Sequence, residues 1–433
     1  TMDENKRGSF GSTIGFLLSA IGSAVGLGNI WGFPYKMGRC GGFTFLIVYL
    51  ALAAFVGFAI MLSELAIGRG TGFGPVNAYK KISKKFKWIG WLAIIAPFLI
   101  MTFYSVLGGY CIYYMVINVV GMFSGMPDSS SFGALLTNPW ASIGCMILFM
   151  LICYLINRGG VGGGIEKFNT IGMPALFVML VIVIIRAWTL PNADVGLKYM
   201  FVPGYALKAG FFDKAPSFME VLATAGGQMF FSLSLAMGAM ITYGSYTGKE
   251  VNLVRSTAMV CVFDTVVALL AGLAIFPSVA HFDPSLLGSS KGVALMFIIL
   301  PQVFESMGSV GQVVSFAFFV MVDIAAITSV VSLIEVVTQF VIQKFHVHRK
   351  RAALVVACVC FVVSIPIGIS LGHVAILEES SPALFGLDWL TFFDEVTNTV
   401  LMPVCALFSC IVVGWFITPK RAVAEIEAEG THM

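Results

Sequence analysis

Charged side chains are scarce in this chain of 433 residues. Asp, Glu, Lys and Arg together make up 11% of it, whereas 58% of the residues are hydrophobic. The mean hydropathy is +0.95, and a soluble domain usually carries about 25% charged residues. The composition therefore excludes an ordinary soluble protein and indicates one that lies in a membrane.

Residue patterns that carry enzymatic or metal chemistry are also missing. The nine cysteines occur singly, most of them within apolar runs, and the five histidines lack the spacing of a zinc site. The glycine-rich segment 159–164 does not end in the Lys-Ser/Thr pair of a phosphate loop. Membrane topology explains the basic loops, so we expect no nucleic-acid partner. We predict that the protein is not an enzyme.

Long apolar runs are abundant. Runs of about 20 residues predict ten membrane spans, near residues 10–38, 43–68, 88–123, 139–156, 167–187, 219–245, 251–280, 307–342, 350–371 and 391–417. The apolar segment 293–304 is too short to cross a bilayer, and we expect it to form a hairpin. The connection 188–218 is polar and is expected to lie outside the membrane.

Cationic residues concentrate in the loops after even-numbered spans, as in residues 69–87 and 346–351, and in the amino terminus at Lys6 and Arg7. By the positive-inside rule these segments are cytoplasmic. We predict a multi-pass protein of the cell membrane, surrounded by the lipid bilayer, with its amino terminus in the cytoplasm.

Two of the predicted spans are poorly suited to unbroken helix. Residues 22–34 of span 1 contain four glycines and a proline, and residues 226–238 of span 6 are rich in Gly and Ser. An interior Gly costs about 1 kcal/mol and Pro about 3 kcal/mol, and backbone groups freed inside a bilayer need other partners. We therefore predict a solute and ion site at mid-membrane, formed by the two breaks.

The positions of the two breaks suggest an internal repeat. If residues 10–187 and 219–417 are two copies, the broken helix is the first helix of each copy. Each copy has an odd number of spans, so the copies have opposite orientation in the membrane. We predict an all-α membrane protein with one transport domain over residues 1–433 and a five-plus-five inverted-repeat architecture.

Several ordered segments with matching spacing carry a family resemblance. They are residues 26–35, 64–69, 104–106, 228–234, 241–246 and 328–329. Through them nearly the whole chain resembles the neurotransmitter:sodium symporters, in particular bacterial amino-acid transporters of the leucine-transporter type. The resemblance implies sodium-coupled import by alternating access. It also leads us to expect that Glu64 binds exposed backbone of the broken helices.

The resemblance implies two sodium sites, and the residue types suit them. An alkali cation needs about six oxygen ligands, which a broken helix provides through its carbonyl groups. The positions that match the first site are Ala24, Asn29, Ser232 and Asp264. Those that match the second are the carbonyls of Gly22, Val25 and Ala325 and the hydroxyls of Thr328 and Ser329. Chloride-independent members carry their own carboxylate near the first site, so Asp264 predicts no chloride requirement.

The resemblance places the substrate between the two breaks. The N–H groups of Leu27 and Gly28 lie at a helix start and suit a carboxylate, to which Tyr104 adds a hydroxyl. Members that carry amines have Asp where this chain has Gly26, so an amino acid with its own carboxylate is expected. The mostly apolar pocket favours a hydrophobic or aromatic side chain. The positions predicted to contact substrate are Ala24, Gly26, Leu27, Gly28, Ile100, Tyr104, Leu107, Phe231, Ser232, Ser234, Met237, Ser329 and Leu333.

Both gates depart from the family pattern. The outer gate pairs an Arg with an Asp, but Gly32 takes the place of the Arg while Asp394 remains. Lys36 lies one helical turn farther outward on the same face, about 6 Å along the axis, and is predicted to be a longer-range partner of Asp394, with Arg39 as a second candidate. The positions that match the inner gate are Arg7, Phe10, Tyr246 and Gln343, the last of which replaces an Asp.

Two alternatives stay open at this point. The missing outer Arg keeps a sodium-coupled carrier for a neutral small aromatic solute in consideration, and such a carrier would not respond to competing amino acids. A passive channel is the other alternative, and it would give flux without accumulation.

Overall fold

The computed structural model describes residues 9–124, 130–288, 293, 295–376 and 388–417. Within these ranges every regular element is helical. The elements, with adjoining helical pieces joined, are α1 (Thr13–Ala24), α2 (Gly28–Arg39), α3 (Phe43–Thr71), α4 (Pro75–Ile82), α5 (Lys87–Ser124), α6 (Ser130–Thr137), α7 (Pro139–Arg158), α8 (Val161–Trp188), α9 (Ala193–Phe201), α10 (Tyr205–Lys208), α11 (Phe218–Ser232), α12 (Ala239–Gly244), α13 (Leu253–Phe282), α14 (Leu295–Ser306), α15 (Ser309–Phe345), α16 (Arg349–Ile376) and α17 (Trp389–Ile417).

The long helices follow the predicted spans. Over the described part of the chain, eight helices are long and apolar enough to cross a membrane, and α1 with α2 forms a ninth span bent by 46°. The pair α11 and α12 occupies the predicted span 6. Helix bounds agree with the sequence prediction to within a few residues, because the length of an apolar run is a local property.

The break in span 1 lies at residues 25–27. The N–H of Val25 still bonds to the Ile21 carbonyl at 2.7 Å, but the N–H of Gly26 bonds to Asn29 Oδ1 at 3.0 Å. A side chain thus replaces the helical carbonyl as the acceptor, and the chain restarts at Gly28 in a different direction.

The break in span 6 covers residues 233–238. Ser234, Ala236 and Gly238 have φ values of 52°, 62° and 71°, in the left-handed region that is unfavourable for residues other than glycine. Glu64 supports this segment, because its Oε1 accepts a hydrogen bond from the N–H of Ala236 at 2.9 Å, with both groups buried. A carboxylate from α3 therefore holds the unwound backbone, the type of contact expected from the resemblance.

Of the segment predicted as a hairpin, residues 295–304 lie in the single short helix α14, and residue 294 lies outside the described residues. Pro301 lies inside this helix, where the π-helical turn Leu295–Ile299 passes into the α-helical part Leu300–Ser306. The helix therefore continues through the proline. The helix packs against α13 and α15. The polar connection 188–218 contains the short helices α9 and α10.

The centre of the bundle is α15. Its most apolar window is 89% buried and that of α5 is 72% buried, whereas those of α7 and α17 are only 28% buried. The last two helices therefore lie at the periphery. Helix α15 packs closely against α5, α8 and α1, which brings it beside the break in span 1.

Candidate functional site

The two breaks face each other and are joined by hydrogen bonds. Ser234 Oγ of the second break donates to the Ser23 carbonyl at 2.7 Å. One turn away, Gln228 Nε2 donates to the Gly28 carbonyl at 2.7 Å. The unwound segments thus satisfy part of each other's backbone, as a break inside a membrane requires.

The residues of the predicted first sodium site surround the carboxylate of Asp264. Asn29 Nδ2 donates to Asp264 Oδ1 at 2.7 Å, and Ser232 Oγ donates to Oδ2 at 2.9 Å. Tyr49 completes the group with a hydroxyl 3.2 Å from Oδ2. Ala24 lines the adjoining cavity. A fully buried carboxylate in a membrane protein is costly without partners, and here it has three side-chain donors and lies among oxygen groups suited to a hard cation.

The residues of the predicted second sodium site meet around the Val25 carbonyl. Ser329 Oγ lies 3.3 Å and Thr328 Oγ1 3.5 Å from that oxygen. Thr328 Oγ1 also lies 3.0 Å from the Ala325 carbonyl on its own helix. Gly22 stands in the last turn of α1, where a Cβ would come within 2.0 Å of Asn169 Oδ1, so a larger residue would have to displace the Asn169 side chain. The oxygen atoms offered by α1 and α15 are again those that a hard cation prefers.

A small cavity lies between the breaks, and most of the predicted substrate positions line it. Its volume is about 10 Å³, enough for about one water molecule. The Tyr104 hydroxyl lies beside the N–H groups of Leu27 and Gly28. The lining residues are Ser23, Ala24, Gly28, Ile100, Tyr104, Phe231, Ser234, Met237, Ser329 and Leu333.

A few predicted substrate positions lie outside this lining, and one lining residue was not predicted. Leu107 is fully buried, and Ser232 faces Asp264. Gly26 borders the cavity so tightly that a Cβ would lie 2.3 Å from Ser329 Oγ. Ser23 was missed because its carbonyl and hydroxyl bond across to other helices, which no local pattern indicates.

Phe231 separates this cavity from a larger one of about 290 Å³, here called the vestibule. Its ring centroid is 5.8 Å from that of Tyr104. On the vestibule side Lys36 Nζ stands 5.7 Å from the Phe231 centroid. Asp394 also lines the vestibule, but its Oδ1 accepts a hydrogen bond from Asn398 at 2.5 Å. Lys36 and Asp394 thus share the vestibule without forming an ion pair within 4.0 Å in the described structure.

At the opposite end of the path, Phe10 packs edge-on against Tyr243 and Tyr246 with centroid distances of 5.5 and 6.4 Å. The Tyr246 hydroxyl donates to Glu335 Oε1 at 2.5 Å. Glu335 is fully buried and forms an ion pair with Arg349, whose Nη1 lies 3.0 Å from Oε1.

Of the other two predicted inner-gate positions, one does not join this group and one cannot be placed. Gln343 Oε1 instead accepts a hydrogen bond from Asn77 at 2.9 Å. Arg7 lies outside the described residues. Glu335 and Arg349 were not predicted, although an acid inside an apolar helix was a usable signal. Closure at this end therefore includes a buried ion pair as well as neutral hydrogen bonds.

Two further carboxylates were missed. Glu166 accepts hydrogen bonds from the Gly11 N–H at 2.7 Å and from Ser12 Oγ at 2.9 Å, so it holds the start of α1. Asp323 on α15 is 5% exposed, and within the described ranges neither of its carboxylate oxygens has a hydrogen-bond partner.

The comparisons with known proteins agree with this geometry. A sequence profile described as the Sodium:neurotransmitter symporter family matches residues 7–124 and 119–431. The chain is 34% identical to the sodium-dependent transporter YhdH of Bacillus subtilis, covering 99% of this chain and 91% of YhdH. It is 30% identical to a sodium-dependent transporter of Methanocaldococcus jannaschii, over 96% of this chain and 83% of that relative.

The structure is similar to the crystal structure of MhsT in complex with L-phenylalanine. The TM-score is 0.87 at 35% identity, and the match covers 97% of this chain and 93% of the MhsT chain. The predicted fold class is confirmed, as is the expectation that the protein is not an enzyme. The chain therefore belongs to the sodium:neurotransmitter symporter family and is a multi-pass, sodium-dependent symporter.

Proposed function

We propose that this symporter imports a hydrophobic or aromatic amino acid by alternating access, together with sodium ions at two sites and without chloride. The observation that supports this most directly is the cavity between the breaks. It is lined by Tyr104, whose hydroxyl lies beside backbone N–H groups, and by the apolar side chains of Ile100, Met237 and Leu333. MhsT, to which the chain is similar, was crystallised with L-phenylalanine.

The carboxylate of the substrate would bind at the start of α2. The N–H groups of Leu27 and Gly28 carry the positive end of the helix dipole, and the Tyr104 hydroxyl lies beside them. Gly26 leaves no room for an acidic side chain, because a Cβ there would lie 2.3 Å from Ser329 Oγ and 2.9 Å from the Tyr104 hydroxyl. The substrate must therefore supply the anion itself, which favours an amino acid over an amine.

The apolar part of the substrate needs more room than the cavity of about 10 Å³ provides. Met237 and Phe231 form part of its wall, and methionine adapts readily because it is unbranched. Binding would displace these side chains and break the contact between Phe231 and Tyr104. Substrate size is then limited by how far the wall moves and not by the volume of the closed cavity.

Sodium would bind on both sides of the span 1 break. The first ion would contact Asn29, Ser232 and Asp264, and the second would contact the carbonyl of Val25 with the hydroxyls of Thr328 and Ser329. Because Asp264 supplies a fixed negative charge beside the first ion, a chloride ion is not needed there to balance it.

Alternating access would open one end of the path at a time. We assign the Phe231 end to the outside and the Phe10 end to the cytoplasm, following the distribution of basic loops. Phe231 would close over bound substrate, and the group of Phe10, Tyr246 and Glu335 would separate to release it.

The test is uptake of radiolabelled L-phenylalanine into proteoliposomes. We expect accumulation driven by an inward sodium gradient, none when choline replaces sodium, and no change when gluconate replaces chloride. Asp264→Asn should abolish chloride-independent uptake, whereas Asp283→Asn, which alters a half-buried turn after α13, should not. Loss of uptake in gluconate with the unmodified chain would contradict the chloride assignment.

The neutral aromatic solute is the second candidate, because Gly32 leaves the vestibule without the family's arginine. An excess of unlabelled leucine, phenylalanine or tryptophan distinguishes the two. Competition by these amino acids supports our proposal, and sodium-driven uptake of a neutral aromatic compound that they leave unchanged would favour the alternative.

A further inference from the structure

Five lysines form an exposed basic surface at one end of the bundle, here called the lysine surface. They lie in the turn that joins α4 to α5 and in the flanking residues, and all five are exposed. No acidic residue other than Asp128 occurs between Glu64 and Glu166 in the sequence. The members of the surface are Lys80, Lys81, Lys84, Lys85 and Lys87.

Among the residues that the structure describes, no acidic side chain forms an ion pair with these lysines. Lys81 is the member with a described side-chain contact, because its Nζ donates to the Thr71 carbonyl at 3.0 Å and lies 5.4 Å from the Phe73 ring. Within the described part of the chain, the ammonium groups of the other four lysines have no acidic partner.

Aromatic side chains directly beside the lysines indicate where the lysine surface lies relative to the bilayer. Phe86 packs on Phe416 at 4.6 Å and Trp88 on Phe408 at 4.7 Å between ring centroids. Trp88 and Trp91 remain 43% and 38% exposed. Exposed tryptophans at the end of a membrane helix lie at the level of the lipid headgroups, and Lys87 directly precedes Trp88.

We infer that the lysine surface binds the phosphate-bearing headgroups of anionic lipids. Its charge is complementary to phosphate, it lies next to the interfacial aromatic residues, and a cluster of four to eight basic residues beside a membrane helix attracts an anionic leaflet. Lys80 and Lys81 stand at the end of α4, whose other face is buried through Val76, Ala78 and Tyr79. Lipid binding would therefore fix α4 between the bundle and the bilayer surface.

The experiment measures lipid retention by the purified full-length chain and not transport, so its outcome is independent of the proposed substrate. The chain is equilibrated with equal amounts of dioleoylphosphatidylglycerol and dioleoylphosphatidylcholine, and the bound lipids are counted by native mass spectrometry. We expect the unmodified chain to prefer phosphatidylglycerol. The preference should fall about fivefold for each lysine removed, and so about 25-fold in Lys84→Gln/Lys85→Gln.

Two matched variants separate charge at this surface from other effects. Lys84→Arg/Lys85→Arg should keep the preference because it keeps the charge. Lys208→Gln/Lys214→Gln removes two exposed lysines from the connection 188–218 and should also keep it. Raising the salt from 0.1 to 0.5 M should weaken the preference of the unmodified chain, because exposed charges are screened.

Three results would overturn the inference. One is an unchanged preference in the glutamine variant, and another is an equal loss in the Lys208/Lys214 control. The third is loss of the preference on adding inorganic phosphate at the lipid concentration, which would identify a site for free phosphate. Because both substituted lysines are exposed, thermal unfolding of the glutamine variant should match that of the unmodified chain.

Discussion

The two ends of the transport path are closed by different chemistry. At the Phe231 end an aromatic ring covers the cavity with the Lys36 ammonium above it, and the nearby Asp394 bonds to Asn398 on its own helix. At the Phe10 end a fully buried glutamate is bound by Arg349 and Tyr246. Removing one member of a buried ion pair costs about 3–5 kcal/mol, whereas a cation–π contact contributes about 0.5–2 kcal/mol. We therefore expect the Phe231 end to open at lower energetic cost.

Among the variants that test this difference, Arg349→Ala should have the largest effect on stability. The substitution leaves Glu335 buried without its counter-charge and should reduce the free energy of unfolding by about 3–5 kcal/mol, measured by thermal unfolding in detergent. The double variant Glu335→Gln/Arg349→Gln removes both charges and should recover most of the loss. If Arg349→Ala is as stable as the unmodified chain, the ion pair does not make the Phe10 end more costly to open than the Phe231 end.

Asp323 tests whether a buried acid stabilises this protein when it has no partner. Replacing it by valine removes a carboxyl group without a hydrogen bond in the described structure, so we expect stability to rise by about 1–3 kcal/mol. Thermal unfolding measures this, and Asp323→Asn, which keeps a buried polar group, is the control. A large loss of stability in Asp323→Val would mean that Asp323 has a stabilising partner, as Glu335 has.

Lys36→Gln should weaken closure of the Phe231 end directly, because it removes the ammonium group beside the ring. Loss of about 0.5–2 kcal/mol from the contact with the ring should make the cavity more accessible from the vestibule. A cysteine placed at Ser234 should then react about two- to thirtyfold faster with a charged thiol reagent. Lys36→Arg should preserve the slow rate. If Asp394→Asn accelerates the reaction equally, and the double variant no further, then Lys36 acts through Asp394 as the sequence predicted.

The smallest expected effect is that of Glu166→Ala at the Phe10 end. The variant loses two hydrogen bonds to the start of α1 in an exposed setting, worth about 0.5–1 kcal/mol. Hydrogen exchange of residues 9–16 should become severalfold faster, whereas Glu166→Gln keeps one of the two acceptor oxygens and should change it less. Equal exchange rates in the unmodified chain and in both variants would show that Glu166 does not contribute to closure of the Phe10 end.

The residues at the two ends differ in how well the sequence predicted their contacts. Lys36 was predicted to be a longer-range partner of Asp394, because spacing along a helix identifies residues on the same face, and both residues line the vestibule. Its contact with Phe231 was not predicted, because the position of a flexible side chain depends on which neighbours surround it. The Glu335 group joins α15, α16 and the turn after α12, with sequence separations of 14 and 89 residues. No local pattern links residues so far apart. Segment 293–304 was predicted as a hairpin because a proline breaks a helix interior, whereas here the helix Leu295–Ser306 continues through Pro301 with a π-helical turn before it.

By itself the sequence determined the membrane setting, the apolar spans and the two unwound segments, since the length of an apolar run and the presence of Gly and Pro act on each segment locally. Only the tertiary structure decided which groups these breaks face. It placed Ser23 in the cavity, placed Lys36 against Phe231 and surrounded Asp264 and Glu335 with donors, whereas Asp323 has none among the described residues. These outcomes depend on the packing of helices distant in the chain, because a buried polar group is stabilised only by the partners that packing brings within hydrogen-bond distance.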